Sequence, residues 1–520
     1  MADMTYRGNL SAKTIPVDPL LFGRSVIIKG QDQNYAATVV SKTDADKDIG
    51  IPQVLYVANC LPTEYGYASM GYYGSKETCP GTPYIAFPVR SATQTATLIH
   101  TTEGYLYRLR RDSEGGEVSQ FVYIGTYTGN ATYALVAGVT YIYFSNNGCY
   151  EYNFSTNTLD PITLSGLTPS AIIGITSTGG YMLAWSTDSI AWSSLFDATD
   201  FVPSLDTGAG GGGVEGARGA ITVCVSNSYG VYIFTAANCV SAQLSTNARY
   251  PFNFKEIVGS SGLDSVQEVS FEGNQNSAYG FTSAGFQQIS HNGAKNIWTE
   301  LYENALNTPK WNENSTISGS LVSGVDGKIT KAKIVSVASK YICVSIGARD
   351  ADHYDQCWVY DLALDKWGRF VKDHYEVFED EHYKIGFITL DKRYIYVDSA
   401  FATSEWEIEH DPAYLAAGRY QMSRQRVTGL QEIDLENLYP VTLTDEAGHY
   451  VQIDQYPEVF VLPSLDGKSG SFVSTFRNVV VGEAFARYLT RKTAVNHTIL
   501  IKGHFNLNSI LLTLTQGGGR

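Results

Sequence analysis

The sequence predicts an all-β protein, a β-propeller of about six to eight blades with a β-sandwich platform formed by the two chain ends. Three observations predict it. The 520 residues include 36 Tyr, 22 Phe and 49 Gly but only 5 Met, a composition suited to short strands and tight turns and not to a helical bundle. A short strand, a Gly or Asn turn and a second strand recur along the middle of the chain. The two ends differ from that middle in pattern and in charge.

The recurring units begin at Gly104, Tyr141, Tyr181, Gly230, Ala278, Tyr341 and Tyr394. Each opens on an aromatic-rich run such as Tyr141-Ile-Tyr-Phe144 or Tyr394-Ile-Tyr-Val397. Repeats of about 40–50 residues with four strands each stack around an axis, because one unit cannot bury both of its faces alone. In the second unit, Asn147-Gly148 supplies the positive φ angles of a two-residue hairpin turn. The segment Gln356–Phe370 is the most blade-like: alternating apolar residues, a turn from Asp361 to Lys366, then a second strand.

Residues 415–520 carry longer alternating runs, including Gln431–Tyr439, Tyr450–Asp454, Val459–Leu462 and Thr498–Lys502. Period two with polar partners reads as half-exposed antiparallel strands. The segment 20–40 is expected to add a strand or two. The expected organisation is therefore N-terminal strands within 1–50 that join the platform, a propeller over 51–414, and a platform over 415–520. Termini that meet in one unit fit the common proximity of chain ends.

Net charge is −15. Residues 1–50 are neutral and 415–520 carry +1, which leaves −16 on the middle. This balance disfavours a protein that grips nucleic acid by neutralising phosphates, and permits one that lets it slide past. Seven Cys occur without a CxxC pair, which reads as buried thiols made in a reducing cytosol. The opening Met1–Arg7 has no apolar run, so no signal peptide is expected. No stretch is long and apolar enough to span a membrane.

No complete catalytic or cofactor motif is found, and no cofactor or metal is expected. Asp44–Gly50 resembles the start of a calcium loop but lacks the bidentate Glu. Asp350-Ala-Asp-His-Tyr-Asp355 gathers three carboxylates and an imidazole between two strands, where polar residues are expected anyway. Ser186–Trp192 resembles a sialidase Asp-box turn without its Gly, and carboxylates are plentiful without a motif that selects a catalytic pair. The most unusual stretch is Asp206–Gly219, with seven Gly in fourteen residues. A strand follows it, not Lys-Ser/Thr and a helix, so it is read as a mobile or tightly bent loop and not as a phosphate cradle.

Some segments carry a resemblance. Trp192-Ser-Ser-Leu-Phe-Asp-Ala-Thr-Asp-Phe201, the Gly-rich stretch and the Val231-Tyr-Ile-Phe234 strand resemble virion proteins of short-tailed, podovirus-type bacteriophages. That family forms the tail nozzle, also called the tail tubular or packaged-DNA stabilisation protein. Pro52–Pro62, Gly482–Leu489, Asn496–Gly503 and Phe505–Ile510 are similar to its opening and closing segments. The resemblance implies a non-enzymatic homo-hexameric ring below the portal and adaptor ring. Such a ring anchors tail fibres in some phages, continues the channel for double-stranded DNA, and stays closed until ejection. Another tail component (adaptor, hub or fibre anchor) and, less favoured, a propeller glycosidase or adhesin are the competing readings. For a nozzle, the candidate channel or gating residues are Asp206, Gly208, Gly210, Gly211, Gly212, Gly213, Glu215 and Arg218. The candidate acidic lumen is Asp373, Glu376, Glu379, Asp380 and Glu381, since five acids within nine residues are expected to stay ionised only where water is plentiful.

Overall fold

The structure is a computed structural model. It describes residues 10–16, 54–64, 66–110, 121–227, 230–247, 250–262, 268–269, 272–273, 277–282, 285–297, 331–347 and 351–398, and the strands 407–409, 413–417, 428–439, 442–444, 450–452, 457–464, 473–474, 476–480, 485–494, 496–503 and 505–516. The segments 20–40 and 44–50, for which a strand and a solvated loop were expected, lie outside the described residues.

Seven four-stranded antiparallel units form the propeller. Blade one is Pro83–Arg90, Thr95–Thr101, Tyr105–Leu109 and Phe121–Thr126. Blade two is Ala131–Val136, Val139–Phe144, Gly148–Asn153 and Thr158–Ile162. Blade three is Gly174–Thr178, Tyr181–Trp185, Ser189–Trp192 and Gly210–Gly213. Blade four is Ile221–Asn227, Gly230–Thr235, Cys239–Leu244 and Phe252–Glu256. Blade five is Glu272–Gly273, Ala278–Thr282, Gly285–Ser290 and Gly293–Asn296. Blade six is Lys331–Val337, Tyr341–Gly347, Gln356–Asp361 and Lys366–Phe370. Blade seven takes His374–Glu379, Ile385–Thr389 and Arg393–Asp398 from late in the chain, and its fourth strand, Gly71–Thr78, from near the start. The first strand of every blade is innermost and touches the first strand of the next, and blade seven touches blade one, so the ring is closed.

Each recurring unit in the sequence marks one blade. Five mark the second strand and two, at Gly104 and Tyr394, mark the third. Second strands are sandwiched between neighbours in their own sheet and between blades on both faces. Tyr181–Trp185, Gly230–Thr235 and Ala278–Thr282 are accordingly buried at every position, and they read as continuous apolar runs. The turn in blade two differs from the expected two-residue form. Three residues, 145–147, separate Phe144 from its partner Gly148, and only Gly148, at φ 95°, is left-handed. This is the three-residue hairpin in which a Gly follows a tight turn.

The chain ends pair with each other. Leu10–Pro16 runs antiparallel to Asn506–Gln516, and Val54–Ala58 to Ala413–Ala417. The sheet of blade six continues through Cys60–Pro62 and Tyr67–Ser69 into the long strands Asn506–Gln516 and Thr428–Tyr439. A single core accordingly holds Trp358 and Trp367 of blade six together with Leu435, Tyr488, Ile501 and Ile510 of the C-terminal strands. All seven Cys are buried and none forms a disulfide. Among the described residues no helix is long and apolar enough to cross a membrane.

Blade seven closes only through its borrowed strand. Tyr73 pairs with Tyr396 on one side and Ile408 on the other. Proline there deletes a ladder donor between two neighbours. Tyr73→Pro is expected to cost about 3 kcal/mol or more, read as a lowered midpoint in urea unfolding.

Candidate functional site

The acidic cluster at residues 373–381 spans the innermost strand of blade seven, with Glu376 and Glu379 on it and Asp373, Asp380 and Glu381 at its ends. Glu376, Glu379 and Asp380 are almost fully buried, and Asp373 and Glu381 are half-buried. The expectation that this cluster forms a water-filled acidic wall is therefore corrected for Glu376, Glu379 and Asp380. Charge and hydrogen bonds from neighbouring blades replace the water. Glu376 ion-pairs with Lys333 of blade six, and its Oε1 accepts the Ala86 N–H of blade one at 2.8 Å. Glu379 ion-pairs with Arg90 of blade one, and its Oε2 accepts the Ala338 N–H at the end of blade six's inner strand, at 2.6 Å. Each glutamate thus ties blade seven to both of its neighbours. Asp380 instead organises its own blade. It accepts from the N–H groups of His382 and Lys384 at 2.8 and 2.7 Å, and from the Tyr394 hydroxyl at 2.7 Å.

Burial raises the Glu379 carboxyl above its usual range, and the Ala338 N–H and Arg90 only partly offset this. Burial also lowers the neighbouring His374 to about 4, so that imidazole is neutral. Its Nε2 lies 2.7 Å from Ser345 Oγ and its Nδ1 2.8 Å from the Lys372 carbonyl, an arrangement in which Nδ1–H donates to the carbonyl and Nε2 accepts from the hydroxyl.

The Gly-rich stretch is not a mobile loop over Gly210–Gly213. Those four residues are the outer strand of blade three, in register with Ser189–Trp192. A Cβ on Gly211 would meet the Ile190 carbonyl at 2.9 Å, and one on Gly210 the Trp192 ring at 3.2 Å. The glycines therefore let the strand lie close against its neighbour. Both flanks are held. Trp192 Nε1–H donates to the Gly208 carbonyl at 2.8 Å. Asn238 of blade four accepts from the Arg218 N–H and donates to the Gly216 carbonyl, and Arg218 pairs with Glu256 at 2.8 Å. Asp206 and Glu215 are exposed. Of the expected gating set, Gly208 and the 210–213 strand are built into the rim of the propeller.

Between the third and outer strands of blade three, residues 193–209 form a compact excursion. Phe201 is buried, and its N–H donates to the Ser165 carbonyl; the Ser194 N–H donates to the Asp200 carbonyl. Asp197 accepts from both the N–H and the hydroxyl of Thr199, which holds its carboxyl below the usual range. This frame displays Phe196, 82% exposed, and Leu205, 64% exposed, beside Leu195 and Val202. The sequence of this stretch carries the family resemblance but no signal of its exposure. Ser186–Asp188, the Asp-box-like turn, is an ordinary hairpin turn closed by Ser186 Oγ and Asp188 Oδ1 at 2.9 Å.

Two outcomes test these placements. A raised native carboxyl gives stability that is full below the unfolded value of about 4.3 and is lost as pH rises through the native value. The stability of the wild type relative to Glu379→Gln is thus expected to fall as pH rises from 4 to 8, read from paired denaturant titrations. In the glycine strand, a Cβ at Gly212 meets nothing, whereas Gly208 sits at φ +74°. Gly212→Ala is expected to gain about 0.4–1 kcal/mol and Gly208→Ala to lose at least as much, measured by thermal unfolding.

No protein-family model and no curated protein matches this sequence. Two solved structures illustrate the architecture. The WD40 β-propeller domain of Doa1 is 9% identical at a TM-score of 0.39, over 63% of this chain and 97% of that one. The β-propeller domain of Cps50 (Swd1) from Myceliophteria thermophila is 7% identical at a TM-score of 0.37, over 63% and 99%. Likenesses at these values say nothing about function, and the propeller assignment stands on the sheet topology above. The chain is a seven-bladed β-propeller joined to strands from both of its ends.

Proposed function

We propose that the protein is a non-enzymatic structural subunit of a short-tailed phage tail, a nozzle ring of six copies that continues the DNA channel. The observation that carries the reading is the apolar excursion 193–209. Its backbone is held by internal hydrogen bonds, yet it exposes Phe196, Leu195, Val202 and Leu205. Ordered apolar side chains held in solvent mark a protein contact. The stretch includes the residues whose pattern resembles the nozzle family. The overall negative charge suits a wall past which duplex DNA slides. In this reading the ring also meets an adaptor ring above and tail fibres at its side, and the protein resides in the virion after synthesis in the bacterial cytoplasm. The most acidic segment does not supply the DNA-facing charge, because its central carboxylates are spent on the blade-seven seam.

The test is electron cryomicroscopy of the tail of the phage that encodes the chain, beside mass measurement of the purified chain with and without the portal–adaptor assembly. A six-fold ring with a central tunnel is expected. Phe196→Asp is expected to weaken assembly by about tenfold or more, as for a central apolar contact, without lowering the melting temperature. A tail without this chain, or turnover of a bacterial polysaccharide by the purified protein, overturns the reading.

A further inference from the structure

We propose that His353, Asp355 and Asp373 form a binding site for one divalent first-row transition-metal ion, of the zinc class, at the junction of blades six and seven. Sequence spacing alone could not assemble it, because Asp373 lies on the far side of a hairpin from the other two. The structure brings them together through one backbone bridge. The Tyr354 N–H donates to the His374 carbonyl at 2.7 Å, and the His374 N–H to the Tyr354 carbonyl at 2.9 Å. In an antiparallel register that sets Asp373 opposite Asp355. His353 and Asp355 flank Tyr354, and His353 Nε2 lies 3.5 Å from Asp355 Oδ1. One donor atom from each of the three residues lies within 4.8 Å of the other two. Zinc bonds of about 2.0–2.2 Å in a tetrahedral shell hold ligand atoms about 3.3–3.6 Å apart, the separation that His353 Nε2 and Asp355 Oδ1 already have, and Asp373 joins them by a side-chain movement of about an ångström.

The imidazole has the arrangement of a metal ligand. Asp352 Oδ1 is 2.8 Å from His353 Nδ1. With Nδ1–H donating to that carboxylate, Nε2 keeps its lone pair 3.5 Å from Asp355 Oδ1, as in carboxylate–histidine–zinc triads. A lone pair and a carboxylate oxygen meet favourably only across a proton or a cation. The two ligand-bearing segments are already fixed. The Asp355 N–H donates to the Ile346 carbonyl at 2.9 Å, and the Tyr354 ring stacks on buried His374 at 5.6 Å. The nitrogen donor favours zinc over magnesium or calcium, which prefer oxygen alone. All three ligands are half-buried, so ions can enter and a fourth coordination position stays open to water.

The competing arrangement is a polar cluster held by protein groups alone, without an ion. Calorimetric titration of the full chain, stripped with chelator, with zinc chloride separates the two. One zinc per chain is expected, with a rise in melting temperature. His353→Ala and Asp373→Asn are each expected to weaken binding by about tenfold or more, and Asp352→Asn by about 10–100-fold through the imidazole. His291→Ala, on an exposed turn of blade five, is expected to leave binding unchanged. His353 is half-exposed, so His353→Ala remains a folded comparison if Asp373→Asn is not. Failure to bind zinc, equal binding by His353→Ala, or tighter binding of magnesium than of zinc overturns the proposal. None of these outcomes depends on whether the chain is a tail subunit.

Discussion

A propeller is a sheet array that must close on itself, and here closure falls on the buried glutamates of blade seven. Every other blade is one continuous run of chain, apart from short extra strands. Blade seven alone is assembled from two distant segments, Gly71–Thr78 and His374–Asp398, so chain continuity cannot hold it. From blade one to blade four the seams are made by hydroxyls. Thr140 Oγ1 accepts the Arg90 N–H and donates to the Arg90 carbonyl between blades one and two. Thr132 accepts from the Ile175 N–H, and Ser177 from the Leu135 N–H, between two and three. Thr176 and Thr178 bond to Ser226 and the Asn227 carbonyl between three and four. At blade seven, the carboxyl groups of Glu376 and Glu379 take that place, and each reaches both neighbours.

The platform depends on the same region. Among the described residues, blade six is the blade whose sheet runs on into the C-terminal strands, through Cys60–Pro62 pairing with its outer strand at Arg369. The chain segment that makes this link, 54–69, leads directly into the strand that completes blade seven. One stretch of chain therefore fixes the platform to blade six and closes the ring. The buried Arg369, whose Nε–H donates to Gln356 Oε1 at 2.7 Å and whose guanidinium lies over Trp358 at 5.1 Å, keeps that outer strand in place at the point of attachment.

The blades were legible because their second strands are buried on both faces and so read as unbroken aromatic and β-branched runs. Blade one was found by its third strand, since its second, Thr95–Thr101, interrupts its apolar residues with Thr97 and His100 and carries no Tyr, Phe or Trp. The glycine strand was not legible. A run of Gly has no alternation to betray a strand, and its pairing is decided by the Ser189–Trp192 strand and by the close approach of Ile190 and Trp192. The acidic cluster misled for a related reason. Local charge density suggests solvent, but the partners of Glu376 and Glu379 are Arg90 and Ala86, some 290 residues away in sequence, and Lys333 across a blade boundary. His353 and Asp355 were visible as a polar knot; Asp373 joined them only through the bridge between Tyr354 and His374.

Buried charge is a poor source of net stability, since desolvation can exceed the attraction between the partners. The rise in the Glu379 pKa despite its Arg90 partner shows that desolvation wins at that residue. What the seam gains is discrimination. A hydroxyl seam can be met by any blade that offers an N–H or a carbonyl, and seven similar blades offer many. An unpaired buried glutamate costs several kcal/mol, so blade seven fits only where a cation and a free N–H await it on both sides. Arg90 and Ala86 supply these in blade one, and Lys333 and Ala338 in blade six. The cluster therefore acts as an address. It lets the strands that arrive last in the chain recognise the first blade, and it does so at the one seam where sequence order gives no help.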